Sequence, residues 1–251
     1  MLSLHNRVAL VTGASRGIGR ACALRLAQAG ADVIINYLTS PEAAREVAEQ
    51  VQSLGRRAAI IKADVSEGED VESMLEFVSQ RFGQLDICVS NVATGAFRPL
   101  LTASPGQFQS VMNTNVLALL HLLRCALPLL TKSKVRAKVV TISSHGSHQA
   151  LPHYGLIGAS KAALESMTRH LALEVQEHVN LNVVLAGLVA TDSTRQLQPE
   201  VFARHTQSMM VGGRTLQAED VADVVLFLCS PLSDLIQGQT LVVDGGAAIR
   251  G

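Results

Sequence analysis

The chain has 251 residues, 48% of them hydrophobic and 17% charged, with a formal net charge of zero. That length and apolar content suit one well-filled domain, while the balanced charge argues against a nucleic-acid face or an acidic tail. Trp is absent and aromatic residues reach only 3%, too few for base-stacking platforms.

Along the chain, Met1–Arg7 lacks the basic start and apolar stretch of a secretory leader. A strand is expected over Val8–Val11, followed by a glycine turn that opens a helix. A strand at Val33–Asn36, an amphipathic helix at Pro41–Leu54, a strand at Ala58–Lys62 and a helix at Asp70–Phe82 follow. Next come a strand at Ile87–Ser90, an apolar helix over Phe108–Leu130 and a strand at Lys138–Ile142. A helix at Lys161–Glu177 and strands at Leu181–Leu185 and Leu241–Val243 complete the pattern. The greasiest stretch, Val116–Leu130, holds His121, Arg124 and Pro128. It falls short of the roughly 20 apolar residues of a membrane span, so a buried or interfacial helix is expected and no membrane partner. The strands are mostly continuous Val/Ile/Leu runs, as in sheets covered on both faces. Their alternation with helices predicts an α/β fold: a single-domain, Rossmann-type, doubly wound parallel sheet with helices on both faces, spanning residues 1–251. Residues 191–214 break the rhythm after a strand end and are expected to form a substrate lid. Cys22, Cys88, Cys125 and Cys229 are scattered in apolar runs without C-x-x-C or zinc spacing, which reads as reduced thiols in a cytoplasmic protein.

Gly13, Gly17 and Gly19 lie between the first strand and the first helix. Glycine there permits a tight turn and close approach of a phosphate, and the helix N-terminus offers N–H groups to a pyrophosphate. The cofactor turn accordingly comprises Gly13, Ser15, Arg16, Gly17, Ile18 and Gly19. NAD sites place an acidic residue near the end of the second strand. Asn36 stands there and brings no charge to repel a 2′-phosphate, while Arg16 can pair with one. NADPH is therefore expected over NADH.

The glycine turn Val11-Thr12-Gly13-Ala14-Ser15-Arg16-Gly17-Ile18-Gly19 and a Tyr154–Lys161 pair together resemble the short-chain dehydrogenase/reductase superfamily. That superfamily's usual signature is Tyr-x3-Lys. Here the gap is six residues, Ile157 occupies the ordinary tyrosine position, and Ala150-Leu151-Pro152-His153-Tyr154 through Lys161 resembles the enoyl-ACP reductases of bacterial fatty-acid synthesis. Asn91-Val92-Ala93-Thr94-Gly95 with Arg98-Pro99 resembles their NADPH-using type III branch, and the likeness continues through Gly238–Gly246. Two departures stand out: Ser90-Asn91-Val92-Ala93 in place of Asn-Asn-Ala-Gly, and Ala186-Gly187 in place of Pro-Gly. The resemblance implies catalytic roles for Asn115, Ser144, Tyr154 and Lys161, with Asn115 holding a water that links Lys161 to solvent. It implies adenine contacts at Asp64 and Val65, adenosine-ribose contacts around Asn91 and Ala93, and nicotinamide contacts at Gly187 and Thr191 beside apolar Leu188–Ala190. It also implies a homotetramer, or at least a dimer, built on Phe108–Leu130 and Lys161–Glu177. Leu117, Leu120, Leu127, Ala163, Met167 and Leu171 would supply the apolar stripes.

Hydride transfer creates negative charge on a substrate oxygen, which a phenol O–H stabilises, and a nearby ammonium favours the tyrosinate. In conjugate reduction that oxygen lies two carbons beyond the carbon receiving hydride, so a displaced phenol fits. On a helix, the positions four and seven before Lys161 face the same side as the lysine. The expected reaction is NADPH-dependent reduction of the C2=C3 bond of an enoyl thioester carried on acyl carrier protein or coenzyme A. A short-chain 3-oxoacyl/carbonyl reductase or alcohol dehydrogenase, and a non-catalytic nucleotide-binding relative, stay open as alternatives. His145, His148 and His153 lack carboxylate or thiol company at close spacing, so rim histidines are expected rather than a metal site.

Overall fold

Continuous apolar strands with period-two burial organise the molecule. In β1 (Val8–Val11), Val8 and Leu10 enter one core layer while Ala9 and Val11 enter the other. The computed structural model describes residues 2–194, 199–211 and 214–249. After β1 come α1 (Gly17–Gln28), β2 (Asp32–Tyr37), α2 (Pro41–Ser53), β3 (Ala58–Lys62), α3 (Gly68–Phe82) and β4 (Ile87–Ser90). Then follow α4 (Pro105–Met112), α5 (Ala118–Leu130), β5 (Ala137–Ser144), α6 (Gly155–Glu174), β6 (Val179–Ala186), α7 (Pro199–Ser208), α8 (Ala218–Leu228) and β7 (Thr240–Val243).

The seven strands form one parallel sheet in the order β3-β2-β1-β4-β5-β6-β7. One layer packs α1, α2 and α8 on the sheet through Leu26, Val47, Val51, Val221 and Val225. The opposite layer packs α3, α5 and α6 through Met74, Val78, Leu119, Leu122 and Leu164. Strand order reverses between β1 and β4, so the carboxyl ends of β1, β4, β5 and β6 frame the crevice where open α/β sheets bind ligands.

Between α4 and α5 the helix relaxes into one π turn, Asn113–Leu117. The whole run, Pro105–Leu130, is long and apolar enough to cross a membrane by length and composition. Its apolar stripe, Leu119, Leu122, Leu123, Ala126 and Leu130, is nevertheless buried against α3 and the sheet, as in the core helix of a folded domain. The four cysteines are free, and burial pushes the Cys22 and Cys88 thiols well above the ordinary range and that of Cys229 up to about 12. The expected lid carries a helix, α7, between a short turn at Asp192–Thr194 and Met209–Val211. Residues 195–198 and 212–213 of that span lie outside the described residues.

Candidate active site

The glycine turn has the form its sequence predicts. Gly13 and Gly17 have φ of +60° and +55°, a region side chains rarely adopt. Asn91 fastens the turn: its Nδ2 donates to the Thr12 and Gly13 carbonyls at 3.0 and 3.2 Å, and its backbone N–H donates to Thr12 Oγ1. No side chain caps the start of α1, whose first turn holds no acidic residue. Those N–H groups and the positive end of the helix dipole point at the turn. A pyrophosphate fits this cradle, with Ser15 and Ile18 half-buried on either side of the exposed Arg16. Thr191 closes over Gly17, its Cγ2 lying 3.4 Å from where a Cβ there would sit.

Asn36 lies deeper than its place in the sequence suggests. It is 1% exposed; its Oδ1 accepts the Gly13 N–H, and its Nδ2 donates to the Ala63 carbonyl at 3.0 Å. It shapes the turn from beneath rather than presenting its carboxamide to a ribose. Asp64 spends one oxygen on the Ser66 N–H and hydroxyl, next to buried Val65. Ala93 is exposed on the loop after β4.

Ser144 ends β5, and its Oγ lies 2.9 Å from the Tyr154 Oη. Tyr154 is not on the helix: it precedes α6 with φ −108° and ψ 2°, so helical periodicity with Lys161 does not aim it. Three local features do. His153 takes a left-handed φ of +60° and its carbonyl accepts the Arg98 N–H at 2.8 Å. Phe97 packs beside the phenol ring, centroids 5.6 Å apart. Gly146 lies flat beneath the ring, where a Cβ would collide with Cδ1 and Cε1. The ordinary tyrosine position is filled by buried Ile157, whose Cγ1 and Cδ1 press on Gly95.

Lys161 is 5% exposed, and its Nζ donates to the Ile142 carbonyl at 2.8 Å. Burial pushes its pKa down to about 8, against the attraction of Glu165. Burial also raises the Tyr154 pKa, opposed by the Ser144 hydrogen bond. The expected acidification of the phenol by the ammonium is therefore not expressed in this arrangement, in which the lysine faces β5. Asn115, in the π turn, exchanges hydrogen bonds with the Thr94 backbone (2.7 and 2.9 Å) and donates to Ser160 Oγ at 2.9 Å. Through those contacts its side chain ties the post-β4 loop to α6.

Two of the three histidines, His145 and His148, have carboxylate partners from other chain segments, which their spacing could not reveal. His145 Nε2 donates to Asp244 Oδ2 at 2.9 Å and is almost buried, not on the rim. His148 Nε2 donates to Glu165 Oε2 at 2.7 Å. His205, from α7, accepts the Leu188 N–H at 3.2 Å and lies 5.8 Å ring-to-ring from His145; burial and His145 lower its pKa. This contact presses α7 onto half-buried Gly187 at the end of β6. Among the described residues no cluster has metal-ligand character.

A family model described as "Enoyl-(Acyl carrier protein) reductase" matches residues 13–248. The chain is 34% identical to the 1-cyclohexenylcarbonyl-CoA reductase of Streptomyces collinus, over 98% of this chain and 88% of that protein. It is 37% identical to the 3-oxoacyl-[acyl-carrier-protein] reductase of Pseudomonas aeruginosa, over 98% of each. A short-chain dehydrogenase from Burkholderia cenocepacia in complex with NADP superposes with a TM-score of 0.90 at 33% identity, covering 98% of this chain and 99% of that one. Carveol dehydrogenase from Mycobacterium avium in complex with NAD superposes at 0.91 and 28%, covering 99% and 100%. Glycine turn, sheet order, family model and relatives agree: the chain belongs to the short-chain dehydrogenase/reductase superfamily of nicotinamide-nucleotide oxidoreductases.

Proposed function

We propose that the protein reduces the C2=C3 double bond of an enoyl thioester with NADPH. The observation that carries this reading is the seat of Tyr154: its phenol sits on its own platform ahead of α6 and meets Ser144, while the ordinary phenol position holds a buried isoleucine. A phenol moved away from the usual seat suits an oxygen removed from the carbon that accepts hydride. The nicotinamide, when bound, supplies the hydride. Tyr154 protonates the thioester oxygen as negative charge develops there, with Ser144 holding the phenol in place, and the resulting enol becomes the saturated thioester by returning that proton to solvent and taking one from solvent at C2. Lys161, whose Nζ meets the Ile142 carbonyl in the cofactor-free protein, binds the nicotinamide ribose when the cofactor is present and passes a proton toward the phenol. Gly13, Ser15, Gly17, Ile18 and Gly19 hold the pyrophosphate, Asp64 and Val65 the adenine, Asn91 and Ala93 border the adenosine ribose, and Gly187 and Thr191 the carboxamide end. Arg16 selects NADPH by pairing with the 2′-phosphate.

The S. collinus relative, named for reduction of an unsaturated acyl-CoA, supports the reaction class. Either coenzyme A or acyl carrier protein serves as the handle, and fatty-acid biosynthesis in the cytoplasm is one setting that fits. Exposed Phe108 and Leu173, with half-buried Leu117, Leu120, Leu127, Ala163 and Met167, give α4–α6 an apolar stripe for a homotetramer or dimer; Leu171 instead belongs to the core.

A second reading, reduction of a 3-oxoacyl group, draws on the Ser144–Tyr154 pair, which can also bracket a ketone oxygen, and on the P. aeruginosa relative. NADPH oxidation with crotonyl and acetoacetyl thioesters, run beside Tyr154→Phe, separates the two. Turnover of the first substrate alone, lost in the variant, is expected; turnover of acetoacetyl thioester alone overturns the enoyl reading.

A further inference from the structure

Glu165 lies outside the residues that hold substrate or cofactor, yet it is buried to 2% exposure on the same helix as Lys161, one turn along. Buried carboxylates are costly unless they are hydrogen-bonded and charge-paired. This one is. Its Oε1 accepts the hydroxyl of Ser143, the residue before Ser144, and its Oε2 accepts His148 Nε2–H at 2.7 Å. Ser143 and His148 bracket the turn that carries Ser144 and Gly146, both of which meet Tyr154. One carboxylate thus spans β5, that turn and α6.

We propose that Glu165 is a positioning residue for the Tyr154–Lys161 pair: it clamps the Ser143–His148 turn against α6, which keeps the Gly146 platform under the phenol, and it keeps the Lys161 ammonium charged from one helical turn away. The proposal rests on the assignment of Tyr154 and Lys161 as the reacting pair. Among the described residues, the carboxylate meets Ser143 from β5 and His148 from the turn, with Lys161 one turn back on its own helix. His145, on the same turn, is committed to Asp244, and Arg169, the next turn along α6, is exposed. The opposing pulls on Lys161, burial downward and Glu165 upward, agree with the second half of the proposal.

Two variants test it. Glu165→Gln keeps the size and hydrogen-bonding reach but removes the charge. With lysines labelled at Cε, the NMR titration of Lys161 in the cofactor-free protein is expected to move down by about one pH unit, the order set by one close opposite charge. His148→Ala, at a mostly exposed side chain, opens the clamp without removing the carboxylate. On whichever thioester the parent protein turns over, it is expected to lose about tenfold in kcat with KM for NADPH unchanged. Either variant behaving as the parent protein overturns the proposal, and so does Glu165→Gln with a lowered melting temperature but an unmoved Lys161 titration. If Glu165→Gln does not fold, His148→Ala still decides. The titration uses no substrate, so a parent protein inert toward crotonyl thioester would sink the enoyl reading and leave this test standing.

Discussion

Gly146 offers a direct way to move the phenol without touching it. Built on this backbone, a methyl group would lie more than about 1 Å inside the ~3.5 Å optimum for carbon contacts with both Cδ1 and Cε1 of Tyr154. It cannot retreat the other way, because Gly158 Cα stands 3.2 Å from the same point. Gly146→Ala must therefore displace the ring by about 1 Å, and a misplacement of that size costs on the order of 100-fold in rate, or about 2.7 kcal/mol of barrier. Overpacking would also lower stability by about 1–3 kcal/mol. The assay is steady-state oxidation of NADPH with crotonyl thioester. The expected result is kcat down about 100-fold with KM for NADPH unchanged, since the glycine turn lies on other strands. In the Tyr154→Phe background the same substitution should cost nothing further, because it acts through the hydroxyl's position. Full kcat in Gly146→Ala, or an undiminished loss in the double variant, would refute the platform argument.

Arg16→Ala should raise KM for NADPH about tenfold to a hundredfold, the equivalent of the ~1.5–3 kcal/mol of a charge-assisted hydrogen bond, and leave KM for NADH unchanged; equal effects on both would remove Arg16 from the 2′-phosphate. Lys161 carries a stability signature in the cofactor-free protein. Its folded pKa of about 8 lies below the ordinary 10.5, so between those values the unfolded chain binds a proton that the folded chain does not. Stability must then rise with pH across that window, by up to about 3 kcal/mol, and be unaffected by this group below it. Urea titrations at pH 7.5 and 10 should show the rise (about the window just given), and Lys161→Met should flatten it; an equal rise in the variant would assign it to other groups.

Much of the scaffold was legible because both faces of its sheet are covered. Val8–Val11, Ala58–Lys62 and Ile87–Ser90 match to the residue, since an apolar run flanked by turn residues has little other use. The longer central strands, Ala137–Ser144 and Val179–Ala186, extend beyond their apolar cores into Ser143, Ser144, Val179 and Asn180, polar or isolated positions that pairing recruits. The π turn at Asn113–Leu117 interrupts what reads as one helix; its cause is the tertiary engagement of Asn115 with Thr94 and Ser160, invisible locally. Tyr154 and Lys161 could be picked out by type and spacing, but the route of the chain into Tyr154 could not. A left-handed histidine is rare, and nothing in the sequence around His153 announces one. Glu165 had one visible signal, a carboxylate four residues after a lysine on the helix face that is buried. Reading it required Ser143 and His148, which the fold alone brings together. His145 and His205 were likewise unreadable until the chain just after β7 supplied Asp244 and α7 crossed the end of β6.

The destination of the hydride tests the central claim most directly. With NADPH deuterated at the transferred position and crotonyl thioester as substrate, mass spectrometry and NMR of the product should place deuterium at C3 of the saturated butyryl chain, with the label lost from the product pool in Tyr154→Phe. Deuterium found instead only on the hydroxyl-bearing carbon of a 3-hydroxyacyl product from acetoacetyl thioester, with crotonyl thioester unchanged, would contradict the account.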